Sequence, residues 1–204
     1  RAVKLLTSSN QIHALESAEK LHRENERRKT ITQSMEQESI LMVDKELNIN
    51  NKSSIVLYKE GWNSGIIGIV ASRIKEIYNR PTIIISVDKE VGKGSCRSIA
   101  NFDIVEALKL SKNLLDGFGG HPMAAGLTIN KNNLDDFIKS FEKACFEELS
   151  SDDLIPKLLI DCEIKLSDIN SRMINFLKCL EPFGPKNPKP KFLSKNIYVD
   201  GIPK

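Results

Sequence analysis

The segment GKGSCRS, residues 92–98, carries basic and hydroxyl side chains in the alternation that one face of a β-strand produces. The alternation places Lys93, Ser95 and Arg97 on one face and Ser98 on the other. An ammonium, a hydroxyl and a guanidinium in a row suit phosphate, because arginine binds it with two parallel hydrogen bonds and serine donates another. The pattern therefore predicts a phosphate-binding face, and the alternative is an ordinary polar face of a half-exposed strand.

The second candidate is the segment DGFGGHPMAAGLTI, which combines adjacent glycines with a histidine. Gly119 and Gly120 allow a ligand or another backbone to approach closely. His121 follows, and Pro122 then suits the first turn of a short helix. A glycine-rich entry to a helix gathers free N–H groups, which bind anions. The alternative is a tight turn with a surface histidine.

The third candidate is GWNSGIIGIVASR, which begins at Gly61 and contains the single tryptophan of the chain. Asn63 lies at a polar helix start, where it is a candidate substrate-binding residue. Gly65 and Gly68 narrow one side of the helix, which indicates that something packs closely there. Arg73 follows two turns later, as a candidate ligand contact or a structural residue.

Other kinds of site find little support in the sequence. The four cysteines contain no C-x-x-C pair, and no acidic cluster suggests a metal site, so no metal ligand is predicted. Scattered cysteines are typical of a reducing cytoplasm. No apolar run reaches the ~20 residues of a membrane span. The net charge of +3 permits a nucleic-acid partner without arguing for one.

The elements that must position these residues form an α/β pattern. Strand, helix and strand over residues 53–86 predict a βαβ unit. A further strand (91–99), a helix (102–110), a strand (127–129) and a helix capped by Asn130 follow. The sequence thus predicts a mixed β-sheet flanked by helices over residues 51–150.

Both flanks of this domain differ from it in composition. Residues 1–50 predict a long interdomain connector helix, which Ser8, Ser9 or Asn10 would cap. Residues 151–204 predict a strand at 157–164, a helix at 167–180, a loop rich in proline and glycine, and a strand at 196–204. We expect this last part to be the start of another domain, and the chain, which begins without Met, to be an excised fragment.

Taken together, WNSGIIGIVASR, GKGSCRSI and FGGHPMAAG resemble, in this order, the DHH-associated domain of the DHH phosphoesterase superfamily. LHRENERRKTI is similar to the connector helix of the bacterial single-strand exonucleases in that superfamily, and EPFGPKNPKP to the start of their OB-fold domain. The resemblance covers nearly the whole chain. Asn63 is a departure, since these sequences usually carry His after the tryptophan.

The resemblance implies a 5′→3′ exonuclease on single-stranded DNA, active in repair and recombination in the bacterial cytoplasm. It implies that Ser95 and Arg97 hold the 5′ phosphate and that Gly119, Gly120 and His121 line the cleft facing the metal centre. The Mn²⁺ or Mg²⁺ ligands are expected in a DHH domain upstream of Arg1, so we expect this chain alone to bind no metal and to be inactive.

Three other functions remain open at this stage. A DHH-superfamily phosphodiesterase on oligoribonucleotides or cyclic dinucleotides would lack the PFG-x-x-NPxP tail. A nucleic-acid-binding accessory module, as in alanyl-tRNA synthetase, would neighbour an editing domain. A plain interaction module would tolerate loss of Ser95 and Arg97 with no change in nucleic-acid binding.

Overall fold

The computed structural model describes residues 2–46, 48–198 and 200–201. A five-stranded sheet in the order β1-β2-β3-β5-β4 lies at its centre. Its strands, in chain order β1 to β5, are Ile55–Glu60, Thr82–Asp88, Val91–Arg97, Leu115–His121 and Ala124–Asn130. β1 and β2 are parallel and all other neighbours are antiparallel, which confirms the predicted mixed sheet with its βαβ unit.

Helices cover both faces of this sheet. One face packs on α4 (Ile104–Leu110) and α5 (Leu134–Glu148) through a core that includes Ile83, Ile85, Leu127, Phe137 and Phe141. The other face packs on α3 (Ile67–Tyr78) over β2 and β3, around Ile84, Val70 and Ile74. Asp103 caps α4 by accepting from the N–H groups of Val105 and Glu106. Asn130, predicted to cap the next helix, accepts from the Asn132 N–H and caps the short 3₁₀ turn that leads into α5.

The long helix predicted for the N-terminal flank is α2 (Gln11–Glu46), which spans about 54 Å. It follows a short helix, α1 (Ala2–Leu6), and Asn10 caps it by accepting from the N–H groups of Ile12 and His13. Among the described residues of α2, the buried side chains all lie in its C-terminal half and are those of Met35, Ser39 and Val43.

The chain divides into two compact units, Arg1–Ile155 and Pro156–Lys204. The second unit contains β6 (Cys162–Glu163), α6 (Ser171–Lys178) and β7 (Phe192–Leu193), with β6 parallel to β7. Asn187 orders the proline-rich loop, because its amide donates to the carbonyls of Leu180 and Pro182. The predicted helix at 167–180 corresponds to α6. The strand predicted at 157–164 is shorter than expected.

The strand predicted at 196–204 includes residues 199 and 202–204, which lie outside the described residues. The short helix predicted at Pro122 is wrong, because Gly119, Gly120 and His121 belong to β4 and Pro122-Met123 forms the turn of a β4–β5 hairpin. Pairing with β5 satisfies the backbone groups that a helix start would have left free.

Among the described residues, no helix has both the length and the apolar character that a membrane crossing requires.

Candidate nucleic-acid interface

The face of the sheet that α3 covers only in part collects most of the predicted site residues. Strand register aligns Ser95 with Gly126 and Gly119, and Arg97 with Ala124 and His121. The next row joins Lys93, Thr128 and Gly117. The predicted row of Lys93, Ser95 and Arg97 on one face is present, because these side chains are exposed or half-buried while their neighbours Gly92, Gly94 and Cys96 are buried.

Arg97 is the most constrained cation on this surface. Its Nε donates to Ser72 Oγ at 3.0 Å, and its Nη1 donates to Ser95 Oγ at 3.2 Å and to the Cys96 carbonyl at 2.8 Å. All three acceptors are neutral. Within the part of the chain that the structure describes, neither Arg97 nor Lys93 forms an ion pair with a carboxylate. Both positive charges therefore remain available to an anion.

The β4–β5 hairpin forms the opposite side of the surface. A Cβ at Gly120 would lie 2.4 Å from the Ala124 carbonyl oxygen and 2.5 Å from Ala125 Cα, so only glycine permits this close pairing. A Cβ at Gly119 or Gly117 would meet nothing within 4 Å. The glycines facing the open surface thus leave room that the protein itself does not fill, beside the exposed imidazole of His121.

A cleft of ≈ 630 Å³ runs between the start of α3 and these strands. Its walls include Ser64 and Gly68 on one side, Lys93 and Ser95 in the middle, and Gly117, Gly126 and Thr128 on the other. It is an open groove lined by both polar and apolar groups rather than an enclosed cavity, which suits an elongated ligand better than a small buried one.

The WNSG segment is fixed at the edge of this cleft. The Trp62 indole donates to Glu38 of α2 at 2.7 Å, and the Trp62 carbonyl accepts from Ser86 Oγ at 2.6 Å. Hydrogen bonds from Lys59 and Trp62 lower the pKa of the Glu38 carboxyl. Asn63 is exposed, and its Oδ1 accepts from the Gly65 N–H at 2.8 Å, so the amide is engaged in shaping the turn before α3.

Two predicted site residues do not join the surface. Ser98 is only 1% exposed, and its hydroxyl donates to the Phe102 carbonyl at 2.7 Å, so it stabilises the loop after β3. Arg73 lies on an exposed side of α3 and pairs with Glu76 at 3.3 Å. We leave both out of the interface proposed below.

The two buried cysteines, Cys96 and Cys145, offer no nucleophile. Burial raises the pKa of the Cys96 thiol to about 12 and raises that of Cys145 still further, so both are protonated at neutral pH. Among the described residues, no group of three or more His, Cys, Asp and Glu side chains could hold a metal ion.

Sequence reasoning missed three contributors, Ser72, Thr128 and Gly126. Thr128 could have been found by continuing the alternation of β5, since it falls in phase with Gly126 on the open face. Ser72 could not, because its role depends on how α3 packs against β3.

Comparison with known proteins identifies both parts of the chain. The DHHA1 domain model matches residues 51–147 and the RecJ OB domain model matches residues 160–203. The single-stranded-DNA-specific exonuclease RecJ of Bacillus subtilis is 36% identical to the chain over 205 residues, covering all of this chain and 26% of its own length. This chain belongs to the RecJ family. The RecJ of Haemophilus influenzae is 33% identical, over 93% of this chain and 34% of its own length.

Solved structures show the same fold. Thermus thermophilus RecJ in complex with Mn²⁺ matches with a TM-score of 0.83 and 29% identity, covering 95% of this chain and 28% of that protein. The Mg²⁺ complex of the same protein matches with a TM-score of 0.81 and 29% identity, covering 93% of this chain and 29% of that protein. The chain thus spans about a quarter to a third of the RecJ relatives it matches.

Proposed function

We propose that this chain supplies the substrate-binding half of a RecJ-type 5′→3′ exonuclease that hydrolyses phosphodiester bonds in single-stranded DNA. The observation that carries the proposal is the row of Lys93, Ser95 and Arg97 along one face of β3. Lys93 and Ser95 line the open cleft, and no carboxylate is paired to either cation among the described residues. Such a row binds phosphate groups in a fixed position.

Within this proposal Ser95 and Arg97 hold the 5′-terminal phosphate. Charge-assisted hydrogen bonds to a terminal phosphate favour a strand end over an internal position, because the terminal group carries an additional charge and an additional free oxygen. The end therefore fixes how far the strand enters the cleft, which sets the polarity of degradation.

His121 lies two strands from Arg97 across the sheet, a backbone separation of ~10 Å at the usual strand spacing. Side chains reaching inward from these positions suit two neighbouring phosphates of one strand. His121 would then donate a hydrogen bond to the scissile phosphate, while the bare backbone at Gly119 gives the nucleotide room to approach.

The metal chemistry belongs elsewhere in this proposal. Related RecJ structures contain Mn²⁺ or Mg²⁺. The residues described here do not fit such a site, since no acidic or histidine cluster is present among them. We place the metal ligands in a DHH domain that packs in cis against the cleft, and we expect this chain alone to bind single-stranded DNA without cutting it.

The match of the RecJ OB domain model to residues 160–203 favours this activity over that of a small-substrate phosphodiesterase, which would lack the tail. A cytoplasmic role in DNA repair and recombination is part of the same proposal.

The test is a binding measurement with fluorescent single-stranded oligonucleotides that carry either a 5′ phosphate or a 5′ hydroxyl. We expect the phosphate to strengthen binding at least ~10-fold, the equivalent of one charge-assisted hydrogen bond. Arg97→Ala should abolish the difference. Equal affinity of the wild-type chain for both oligonucleotides would remove end recognition from this surface.

A further inference from the structure

The donors of Arg97 are not all used within the protein. Nε and Nη1 donate to Ser72, Ser95 and the Cys96 carbonyl, which accounts for three of its five N–H groups. Within residues 2–46, 48–198 and 200–201, Nη2 has no hydrogen-bond acceptor and so keeps two donors. The hydroxyl of Ser95 accepts from Arg97, and its own hydrogen is also without an acceptor among these residues.

Both unused donors lie beside the same residue of α3. A Cβ built on Gly68 would be 3.0 Å from Arg97 Nη2 and 3.0 Å from Ser95 Oγ. A carbon atom at 3.0 Å from a nitrogen or an oxygen is closer than ordinary van der Waals contact, so a methyl group there would crowd both atoms and offer them no acceptor. Gly68 also lines the cleft, together with Ser64, Gly65 and Ser95.

Helix stability gives no reason for glycine at this position. Gly68 is the second residue of the 12-residue helix α3, and glycine has a lower helix propensity than alanine. Its φ does not fall in the left-handed region, so the backbone conformation does not require glycine either. The remaining reason is the space next to Ser95 and Arg97.

We propose that Gly68 is the specificity-determining residue of the 5′-phosphate site. The absence of its side chain leaves an opening in which an oxygen of the terminal phosphate accepts from Arg97 Nη2 and from Ser95 Oγ. The first turn of α3 borders the opening and favours negative charge. Ser72 is a positioning residue in the same site, because it holds Nε and turns Nη2 toward the opening.

This inference rests on the proposed function, and Gly68→Ala tests it. The variant removes no donor of Ser95 or Arg97, but its methyl group occupies the space beside them and forces both side chains to shift by a few tenths of an ångström. We expect the ratio of Kd values for 5′-hydroxyl and 5′-phosphorylated oligonucleotides to fall from at least ~10 in the wild-type chain to about 1. Affinity for the 5′-hydroxyl oligonucleotide should fall much less than affinity for the 5′-phosphorylated one.

The matched control is Gly117→Ala, which adds the same methyl group on the opposite side of the cleft, where nothing lies within 4 Å. It should leave the ratio as in the wild-type chain. If Arg97→Ala loses the 5′-phosphate preference and Gly68→Ala keeps it, the role of Gly68 is wrong while the proposed function stands. If Arg97→Ala also keeps the preference, the proposed function itself fails.

A second measurement covers the case in which Gly68→Ala lowers the melting temperature. In the wild-type chain, the amide NMR signals of Gly68 and Ser95 should shift on titration with the 5′-phosphorylated oligonucleotide and much less with the 5′-hydroxyl form. Equal shifts with both oligonucleotides would overturn the proposal without the use of any variant.

Discussion

Two half-buried arginines show how much the surroundings of a residue decide its use. Arg80 donates to the carbonyl oxygens of Lys52, Tyr78, Asn79 and Leu154, so it ties together the loops at one end of the sheet. Arg97 also donates to neighbours, yet its Nη2 has no acceptor in the part of the chain that the structure describes. Sequence cannot separate these two roles, because both depend on contacts with residues far away along the chain.

His121 is the residue that we propose donates a hydrogen bond to the scissile phosphate. In a longer form of the protein that includes the metal-bearing domain, His121→Ala should lower turnover ~10²-fold or more, the usual effect of losing one donor to the transition state. Its imidazole is exposed and has no hydrogen-bond partner among the described residues, so folding should not suffer. The 5′-phosphate preference should persist, since Ser95 and Arg97 remain. Unchanged turnover would place His121 outside the reaction.

At the scale of elements, the β4–β5 hairpin contains two adjacent glycines with different reasons to be glycine. A Cβ at Gly120 would overlap the β5 backbone at 2.4 Å, whereas a Cβ at Gly119 would point into open space. We expect Gly120→Ala to reduce the free energy of unfolding by about 1–3 kcal/mol, as overpacking does. Gly119→Ala should leave it unchanged or raise it by up to about 1 kcal/mol.

Comparison of Gly119→Ala with Gly120→Ala also separates an effect on stability from an effect on DNA binding. Gly119→Ala should weaken single-stranded DNA binding although its thermal stability is intact, because the methyl group fills the space left for the nucleotide. Chemical denaturation checks the predicted free energies of unfolding, and oligonucleotide binding by the same variants checks the predicted affinity for single-stranded DNA. A stable Gly120→Ala variant would show that the hairpin pairs differently from the structure.

The sequence predicted the elements with strong periodicity and failed at this hairpin. The βαβ unit and α5 followed from apolar spacing, and the two faces of β3 followed from the alternation of its polar side chains. β4 could not, because an edge strand with glycines at three of its seven positions has low β-propensity and shows no apolar alternation. Its strand conformation comes from pairing with β5, which is a tertiary effect.

At the scale of the whole molecule, the proposed function puts phosphate binding and metal chemistry in separate parts. The net charge of +3 is small, so attraction to nucleic acid must come from where the cations lie rather than from their number. β3 presents Lys93, which lines the cleft, and Arg97 on one face, and among the described residues neither cation is paired with a carboxylate. A division of this kind requires both parts for turnover and only one for binding.

The chain by itself should therefore bind single-stranded DNA and leave it intact. Two phosphate contacts on a single strand predict that log K falls with log salt at a slope of about −1.4, and Lys93→Ala or Arg97→Ala should each reduce that slope by about 0.7. Prolonged incubation with Mn²⁺ or Mg²⁺ should release no nucleotide. Cleavage that requires metal and is lost in Arg97→Ala would contradict this division, because a contaminating nuclease would not respond to that substitution.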